Sequence, residues 1–243
     1  MSADVRTVLW KEWRELLSGG HGRGKMGVLI VVGVIGILLP LQVGRAWVDS
    51  PLLLAYWAWV PMFLVVSVVA DSFAGERERH TLETLLASRL SDRAILLGKV
   101  GAAVGYGVGI TWFSLLLGLL TVNLAHGQNG LLFYSASMGL GIVGLSLLGA
   151  GLAAGAGVLV SLRAHTVRQA QQTLSIGIMV LLFAPTFGIR PLPAAWKARL
   201  LDALSTVTTT RLVVIAVVIL ALLDVGLLAT AMARFRRAQL ILD

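Results

Sequence analysis

The segment GGHGRGKM, residues 19–26, comes closest to a known catalytic motif. Gly19, Gly24 and Lys25 have the spacing of G-x-x-x-x-G-K-[ST], in which a glycine-rich loop and a lysine hold nucleotide phosphates. Met26 stands where a hydroxyl group must bind Mg²⁺, and an apolar run follows it instead of a soluble helix. We therefore predict no nucleotide site here and interpret residues 19–25 as a flexible, basic hinge.

Other enzymatic chemistry has little support in the residue types. The chain contains no cysteine, so disulfides and thiolate metal ligands are excluded. Its four histidines are scattered, and neither H-E-x-x-H nor a Ser/His/Asp spacing occurs. We predict that the chain is not an enzyme and that it has no catalytic residue, no metal ligand and no cofactor of its own.

Asp224 is the one charged residue within the apolar run 212–233. A carboxylate placed in the hydrocarbon layer costs about 2.5–3.5 kcal/mol on insertion scales, so it must face a partner or a wet cavity. Two interpretations remain open. Asp224 could be a pathway or proton-linked residue, or it could be structural, either paired with a hydroxyl or amide group of a neighbouring helix or simply protonated.

The elements that must position these residues are apolar helices. Only 13% of the 243 residues are charged, about half of the roughly 25% typical of soluble domains. A helix crosses the hydrocarbon layer of about 30 Å with roughly 20 apolar residues. Runs of that length predict an all-α integral membrane protein, forming one domain over residues 1–243, with six transmembrane helices at 26–48, 52–73, 98–124, 131–162, 171–189 and 211–233.

The placement of lysine and arginine predicts the orientation. With both termini in the cytoplasm, 15 of the 20 basic residues fall on that side and five fall outside. This asymmetry is the positive-inside pattern of multi-pass proteins. The net charge of +8 then indicates contact with the lipid bilayer and its anionic lipids, and no nucleic-acid partner is expected.

The N-terminal residues 4–17 predict an amphipathic helix that lies in the membrane interface, preceding the hinge that ends at residue 25. Val5, Val8, Leu9, Trp13 and Leu16 share one side, although Arg6 and Glu12 interrupt this apolar arc. The tryptophans that suit this depth are Trp10 and Trp13. A helix that packs on a partner protein is the alternative.

Glycines are concentrated where membrane helices are expected to touch. G-x-x-x-G spacing allows close backbone approach, which favours tight packing within the chain or between protomers. The glycines concerned are Gly101, Gly105, Gly109, Gly151 and Gly155. Between the last two spans, the external segment 186–210 predicts a short helix over 194–205.

The connection 74–98 between the second and third spans carries far more charge than its surroundings. Thr81 and Ser91 suit helix N-caps, and Leu82, Leu85 and Leu86 form a short apolar face beside Glu83. A short amphipathic helix on the cytoplasmic side fits this pattern. It could be a solvated turn, or it could dock a cytoplasmic partner.

The string ERERHTLETLLASRLSDRAILLGK, residues 76–99, resembles the loop E-x-E-x-G-T-L-E-x-L-L-x-x-P-L-S-R-x-x-I-L-L-G-K of ABC-2 type transporter permeases. His80 stands where glycine is common in that loop, and Arg89 where proline is common. The resemblance implies that this segment is the coupling helix that contacts an ATPase. The coupling residues it implies are Glu76, Glu78, Arg79, His80, Thr81, Leu82, Glu83, Leu85 and Leu86.

The resemblance also implies a division of labour. Such permeases pair with a second copy or a homologous permease, and separate ATPase subunits bind ATP and Mg²⁺. The expected function is that of a permease subunit, exporting its substrate across the bacterial cytoplasmic membrane. The alternatives are an ATP-independent secondary transporter or channel, and a membrane scaffold that relays ATPase motion.

Overall fold

A computed structural model describes residues 2–18, 22–50, 53–80, 89–206 and 209–235. Within these ranges all regular secondary structure is helical. A chain immersed in hydrocarbon must satisfy every backbone N–H and C=O internally, and a helix does this within one segment. The all-helical prediction is therefore confirmed for the described residues.

The helices follow the chain in this order. The first, α1 (Ser2–Ser18), precedes α2 (Gly22–Gly33), which continues through a π-helical stretch (Val34–Leu38) into α3 (Leu39–Val43). The next are α4 (Ala46–Asp49) and α5 (Leu53–Ala70), which a second π-helical stretch (Asp71–Gly75) joins to α6 (Glu76–Glu78). The remaining helices are α7 (Asp92–His126), α8 (Ala136–Ser161), α9 (Val167–Ile189), α10 (Ala194–Thr206) and α11 (Thr209–Arg234).

Five helical segments of the described chain are long and apolar enough to cross a membrane. They correspond to the first, second, third, fourth and sixth predicted spans, and they cover Met26–Val43, Trp59–Glu78, Asp92–His126, Ala136–Ser161 and Val214–Arg234. The fifth predicted span, 171–189, falls within α9, a helix of 23 residues. The helix predicted at 194–205 is present as α10.

Side-chain caps set the starts of three long helices. Ser91 accepts a hydrogen bond from the Ala94 N–H at 3.2 Å, so α7 begins where the sequence predicts a cap. Ser135 and Thr166 cap α8 and α9 in the same way. The other predicted cap, Thr81, lies outside the described residues.

Two of the predicted span boundaries differ from the observed helix ends for a local reason. The first span ends at Val43 instead of residue 48, because Gly44 adopts a left-handed φ of 61°. The fourth helix starts at residue 136 instead of 131. Asn123 pairs with both backbone groups of Leu132, at 2.7 and 2.9 Å, and holds the preceding segment in a non-helical conformation.

The charged connection is shorter than the sequence predicts. The second span does not stop at residue 73, because its helical turns continue through the π-helical stretch to Glu78. The third span starts at Asp92, six residues before the predicted position. Residues 79–91 therefore separate the two helices, and charged residues on either side belong to helices that enter the bundle.

The core of the bundle lies between α5, α7 and α8. Helix α5 packs along α8 and α7, α9 packs against α5 and α8, and α11 packs against α8. The amphipathic α1 lies on α7. The buried residues are almost all aliphatic, so the core has the small, close-packed character expected of helices in lipid.

Candidate functional site

Lys99 is the buried centre of an ion cluster where α1, the π-helical stretch Asp71–Gly75, α6 and α7 meet. Its side chain is 1% exposed, and its Nζ donates to Glu12 Oε1 at 2.9 Å and to Glu76 Oε1 at 2.8 Å. It also donates to the backbone oxygen of Ser72 at 3.0 Å. Ser72 Oγ donates in turn to Glu12 Oε2 at 3.4 Å. We call Glu12, Ser72, Glu76 and Lys99 the Lys99 junction.

The junction explains two irregularities of local structure. Glu12, which interrupts the apolar arc of α1, is buried because it faces Lys99, whereas Arg6 on the same helix is exposed. Ser72 belongs to the π-helical stretch Asp71–Gly75, and its carbonyl oxygen is directed to Lys99. A buried ammonium ion needs this density of acceptors, since an unpaired charge in the interior is very costly.

Lys11 adds a second positive charge at the exposed side of the junction. Its Nζ lies 3.5 Å from Glu12, 3.3 Å from Glu15 and 4.0 Å from Glu76. Burial acts to lower the pKa of Lys11, but these carboxylates outweigh it and raise the pKa above 10.5. Because this pKa is raised, the stabilisation from Lys11 is complete at neutral pH and is lost only as pH rises through the raised value.

An aromatic pair extends the junction to the last helix. Lys99 Nζ lies 5.6 Å from the centroid of the Phe73 ring, a cation–π contact. Phe73 packs edge-to-face against Phe235, which follows α11, with the centroids 5.8 Å apart. The same buried lysine therefore contacts α1, the π-helical stretch and α6 directly, and it reaches the residue after α11 through one ring.

Arg77 and Glu78 tie α6 to the turn between α8 and α9. Arg77 Nη1 donates to the Ala164 carbonyl oxygen at 3.3 Å, and Glu78 Oε2 accepts from the Val167 N–H at 3.1 Å. Val167 is the first residue of α9, so a carboxylate here also interacts favourably with the positive end of that helix. Both contacts join residues almost ninety positions apart in the chain.

His80 ends the α6 segment in a left-handed conformation, with φ of 56°. A non-glycine residue pays a steric penalty there because its Cβ crowds the backbone. Its N–H donates to the Arg77 carbonyl oxygen at 3.1 Å, closing the turn. The position therefore suits a glycine, the residue that is common here in the resembling loops.

The structure describes part of the predicted coupling segment. Glu76 enters the Lys99 junction, Glu78 binds the start of α9, and Arg79 pairs with Asp71. The predicted coupling residues that lie outside the described ranges are Thr81, Leu82, Glu83, Leu85 and Leu86. The first residues of the charged connection are thus bound to residues of the helical bundle.

The glycines of α7 form the surface on which α1 lies. A Cβ at Gly98 would come within 2.6 Å of Val8, one at Gly101 within 3.3 Å of Leu9, and one at Gly105 within 3.0 Å of Trp13. At the predicted packing position Gly109, nothing lies within 4 Å of such an atom. Trp10 is on the outward side of α1 and is 68% exposed.

Asp224 lies in the seam between α11 and α8. It is 8% exposed, and a Cβ at Gly151 would lie 2.6 Å from its Oδ2. One turn along the seam, Leu227 packs in the same way over Gly155. Asp224 Oδ1 is buried and has no hydrogen-bond partner among the described residues. The predicted packing glycines Gly151 and Gly155 thus create the space that this carboxylate occupies.

Sequence reasoning did not identify the Lys99 junction as a unit. In the sequence, Lys99 is only the last residue of the matched loop, and Glu12 is only an exception on an apolar arc. The signal was present, because a buried acid on an amphipathic helix requires a basic partner. Its partner lies 87 positions away and could be located only by tertiary packing.

Comparison with known proteins gives one family. The family model described as ABC-2 family transporter protein matches residues 48–234. That range includes α5 to α11, the described base of the charged connection and all of the Lys99 junction except Glu12. No curated protein and no solved structure matches the chain.

Proposed function

Because the chain belongs to the ABC-2 transporter family, we propose that it is the permease subunit of an exporter driven by a separate ATPase. The chain is a multi-pass helical membrane protein. In the proposed assembly, ATP and Mg²⁺ bind to the ATPase subunits, and two permease copies, identical or homologous, enclose the transport path. Residues 81–86 of the charged connection contact the ATPase.

The Lys99 junction is the observation that carries this proposal. Force applied at residues 81–88 reaches the bundle through α6 on one side and the start of α7 on the other. Glu76 belongs to α6 and Lys99 lies about two turns into α7, and the two side chains are joined at 2.8 Å. Glu12 adds α1, and the contacts of Arg77 and Glu78 add the α8–α9 turn.

Charged contacts of this kind suit a transmission element. Buried groups held by several hydrogen bonds move together, since separating any one pair exposes an unpaired charge. Closure of the ATPase subunits would then shift α1, α5 and α7 as a rigid unit, as in other domain-level rearrangements. Lys99, Glu12 and Glu76 are in this proposal positioning residues, and residues 81–86 make the contact itself.

The proposed topology has six spans with both termini in the cytoplasm of a bacterial cell. Helix α9 has 23 residues, which at 1.5 Å per residue gives about 35 Å, enough to cross a hydrocarbon layer of about 30 Å. With α9 spanning, the Lys99 junction and the α8–α9 turn lie on the cytoplasmic side, where the ATPase is expected. Helix α10 then lies outside.

The test is ATPase stimulation in a reconstituted complex. The permease is purified with the ATPase that accompanies it from its native membrane, and ATP hydrolysis is measured with and without permease. Leu86→Ala and Glu83→Ala should weaken ATPase binding, whereas Glu76→Gln should preserve binding and reduce stimulation. Leu131→Ala, an exposed leucine near the opposite end of the bundle, is the control for Leu86→Ala.

Two results would contradict the proposal. One is a stable permease that recruits no ATPase. The other is stimulation that persists unchanged in all three variants.

Transport that continues without any ATPase and is abolished by Asp224→Asn would instead support the secondary transporter, in which the buried Asp224 carries the coupling ion.

A further inference from the structure

A cleft of about 640 Å³ lies at the same end of the bundle as the Lys99 junction, between the ends of α8, α9 and α11. Its apolar lining comes from side chains such as Leu159 and Leu227. Two arginines, Arg163 after α8 and Arg234 at the end of α11, also line it. Because three long helices end here, the cleft lies at the depth where hydrocarbon gives way to lipid headgroups.

The cleft has an excess of positive charge. Both arginines are exposed, and neither forms an ion pair within the described part of the chain. The remaining polar lining is uncharged and consists of Gln169, Thr173 and Thr230. Gln169 uses its Oε1 to accept from the His165 N–H, which leaves the amide group of its side chain as a donor. Donors therefore predominate over acceptors.

We propose that this cleft binds an anionic phospholipid from the membrane leaflet that lies on the same side as the Lys99 junction. The phosphate group would lie between Arg163 and Arg234, which present planar donors suited to phosphate oxygens. One acyl chain would follow the apolar seam between α8 and α11, past Leu159 and Leu227. A zwitterionic lipid fits less well, because its cationic group would face two guanidinium ions without a carboxylate in the described lining.

The site lies beside the Lys99 junction without belonging to it. Ala164 lines the cleft, and its carbonyl oxygen accepts from Arg77. A bound lipid would thus pack against the turn that Arg77 and Glu78 hold. The proposal requires only the membrane placement of the chain, so it goes beyond the ATPase-driven function and does not depend on it.

The test measures lipid retention by the full chain in nanodiscs of equal parts phosphatidylglycerol and phosphatidylcholine. After mild detergent release, native mass spectrometry counts each lipid on the protein. The wild type should retain phosphatidylglycerol in preference to phosphatidylcholine. Combined Arg163→Gln and Arg234→Gln substitutions should weaken phosphatidylglycerol retention roughly 30-fold, and either change alone about fivefold.

Arg168→Gln is the matched control. Arg168 is an exposed arginine in the first turn of α9, at the same end of the bundle, but it does not line the cleft. This variant removes the same charge and should retain phosphatidylglycerol as the wild type does. A similar loss in Arg168→Gln would reduce the effect to general surface charge and overturn the site.

Three other outcomes would also overturn the proposal. These are equal retention of the two lipids by the wild type, unchanged retention in the double variant, and displacement of the lipid by glycerol phosphate at comparable concentration. The last would assign the cleft to a soluble phosphate compound. Since no ATPase is present in the measurement, failure here leaves the proposed transport function untouched.

Discussion

At the scale of single residues, two lysines share the carboxylates of the Lys99 junction, Lys99 inside it and Lys11 at its exposed side. Lys99 and Lys11 carry two positive charges, and Glu12 and Glu76 carry two negative ones. Lys99 is fully buried, whereas Lys11 is half exposed. Burial therefore decides which of the two lysines matters for stability, because water screens the exposed ion pairs.

We expect Lys99→Met to destabilise the fold strongly. It removes the ammonium group that lies 2.9 Å from the buried Glu12 and 2.8 Å from the partly buried Glu76, and breaking a buried ion pair costs about 3–5 kcal/mol. The midpoint of thermal unfolding in detergent should fall on the order of 10 °C. Lys11→Met, in the same cluster, should lower the free energy of unfolding by no more than about 1 kcal/mol.

A double variant checks that the loss comes from the ion pair with Glu12. Glu12→Gln added to Lys99→Met should cost less than the sum of the two single changes, because the pair that either change breaks can be broken only once. Strict additivity would mean that the two side chains do not interact, contrary to their 2.9 Å contact.

We expect His80→Gly to stabilise the fold by about 1 kcal/mol, because glycine adopts the φ of 56° without the penalty of a Cβ. The unfolding midpoint should rise by about 2–4 °C. His165→Gly is the control, since His165 is an exposed histidine of the α8–α9 turn without a positive φ. That change should lower the midpoint, and a rise of similar size in both variants would exclude the backbone explanation.

At the scale of elements, α1 is attached to α7 by shape and by charge together. The glycines at positions 98, 101 and 105 open a groove in α7, and Val8, Leu9 and Trp13 fill it. The Glu12–Lys99 pair then sets the register of the two helices, since a shift of one turn would separate these charges. The interface helix predicted from the sequence is therefore also a packed part of the bundle.

We expect Gly98→Ala to displace α1, because the added Cβ would lie 2.6 Å from Val8 and 3.2 Å from the Leu9 backbone nitrogen. Overpacking of this kind costs about 1–3 kcal/mol. The rate of tryptic cleavage within α1 should rise. Gly109→Ala in the same helix, with open space around it, should leave cleavage unchanged. Equal cleavage in the two variants would show that α1 is not held by this groove.

At the scale of the whole molecule, the number of membrane crossings depends on α9. The distinguishing positions are His165, in the turn before α9, and Lys197, in α10 after it. If α9 spans, reagents reach these two positions from opposite sides of the membrane. If α9 lies on the surface, they reach both from the same side.

Single-cysteine labelling in intact cells makes this distinction, and the natural chain has no cysteine to interfere. With six spans, an impermeant maleimide should label Gln128→Cys and Lys197→Cys from outside and should leave Arg79→Cys and His165→Cys unlabelled. Protection of Lys197→Cys together with labelling of Gln128→Cys would leave five spans and place the C-terminus outside.

Much of the fold could be predicted from the sequence because hydrocarbon imposes a simple rule. A run of about 20 apolar residues must be helical in a bilayer, so the long helices were expected. Their ends were less predictable. The break at Gly44 depends on one backbone angle, and the start of α8 depends on a side-chain bridge from Asn123 to Leu132.

The candidate site was predictable only in part, for a related reason. A loop motif is a local pattern, and the string that ends at Lys99 could be matched without knowing where the lysine points. The contacts of Lys99 with Glu12, and of Glu78 with Val167, join distant parts of the chain. The spacing of residue types along the sequence does not show which distant residues form such pairs.

The sequence by itself determined the class of protein, its apolar helices and the position of the charged connection, because transfer from water to hydrocarbon depends mainly on composition and length. The tertiary structure alone decided which groups the charged side chains contact. It made Glu12, an exception on the apolar arc of α1, a partner of Lys99, and it placed Arg163 and Arg234 in the lining of one cleft. Coulomb interactions and hydrogen bonds act over a few ångströms, so their partners are set by how helices pack and not by their order in the chain.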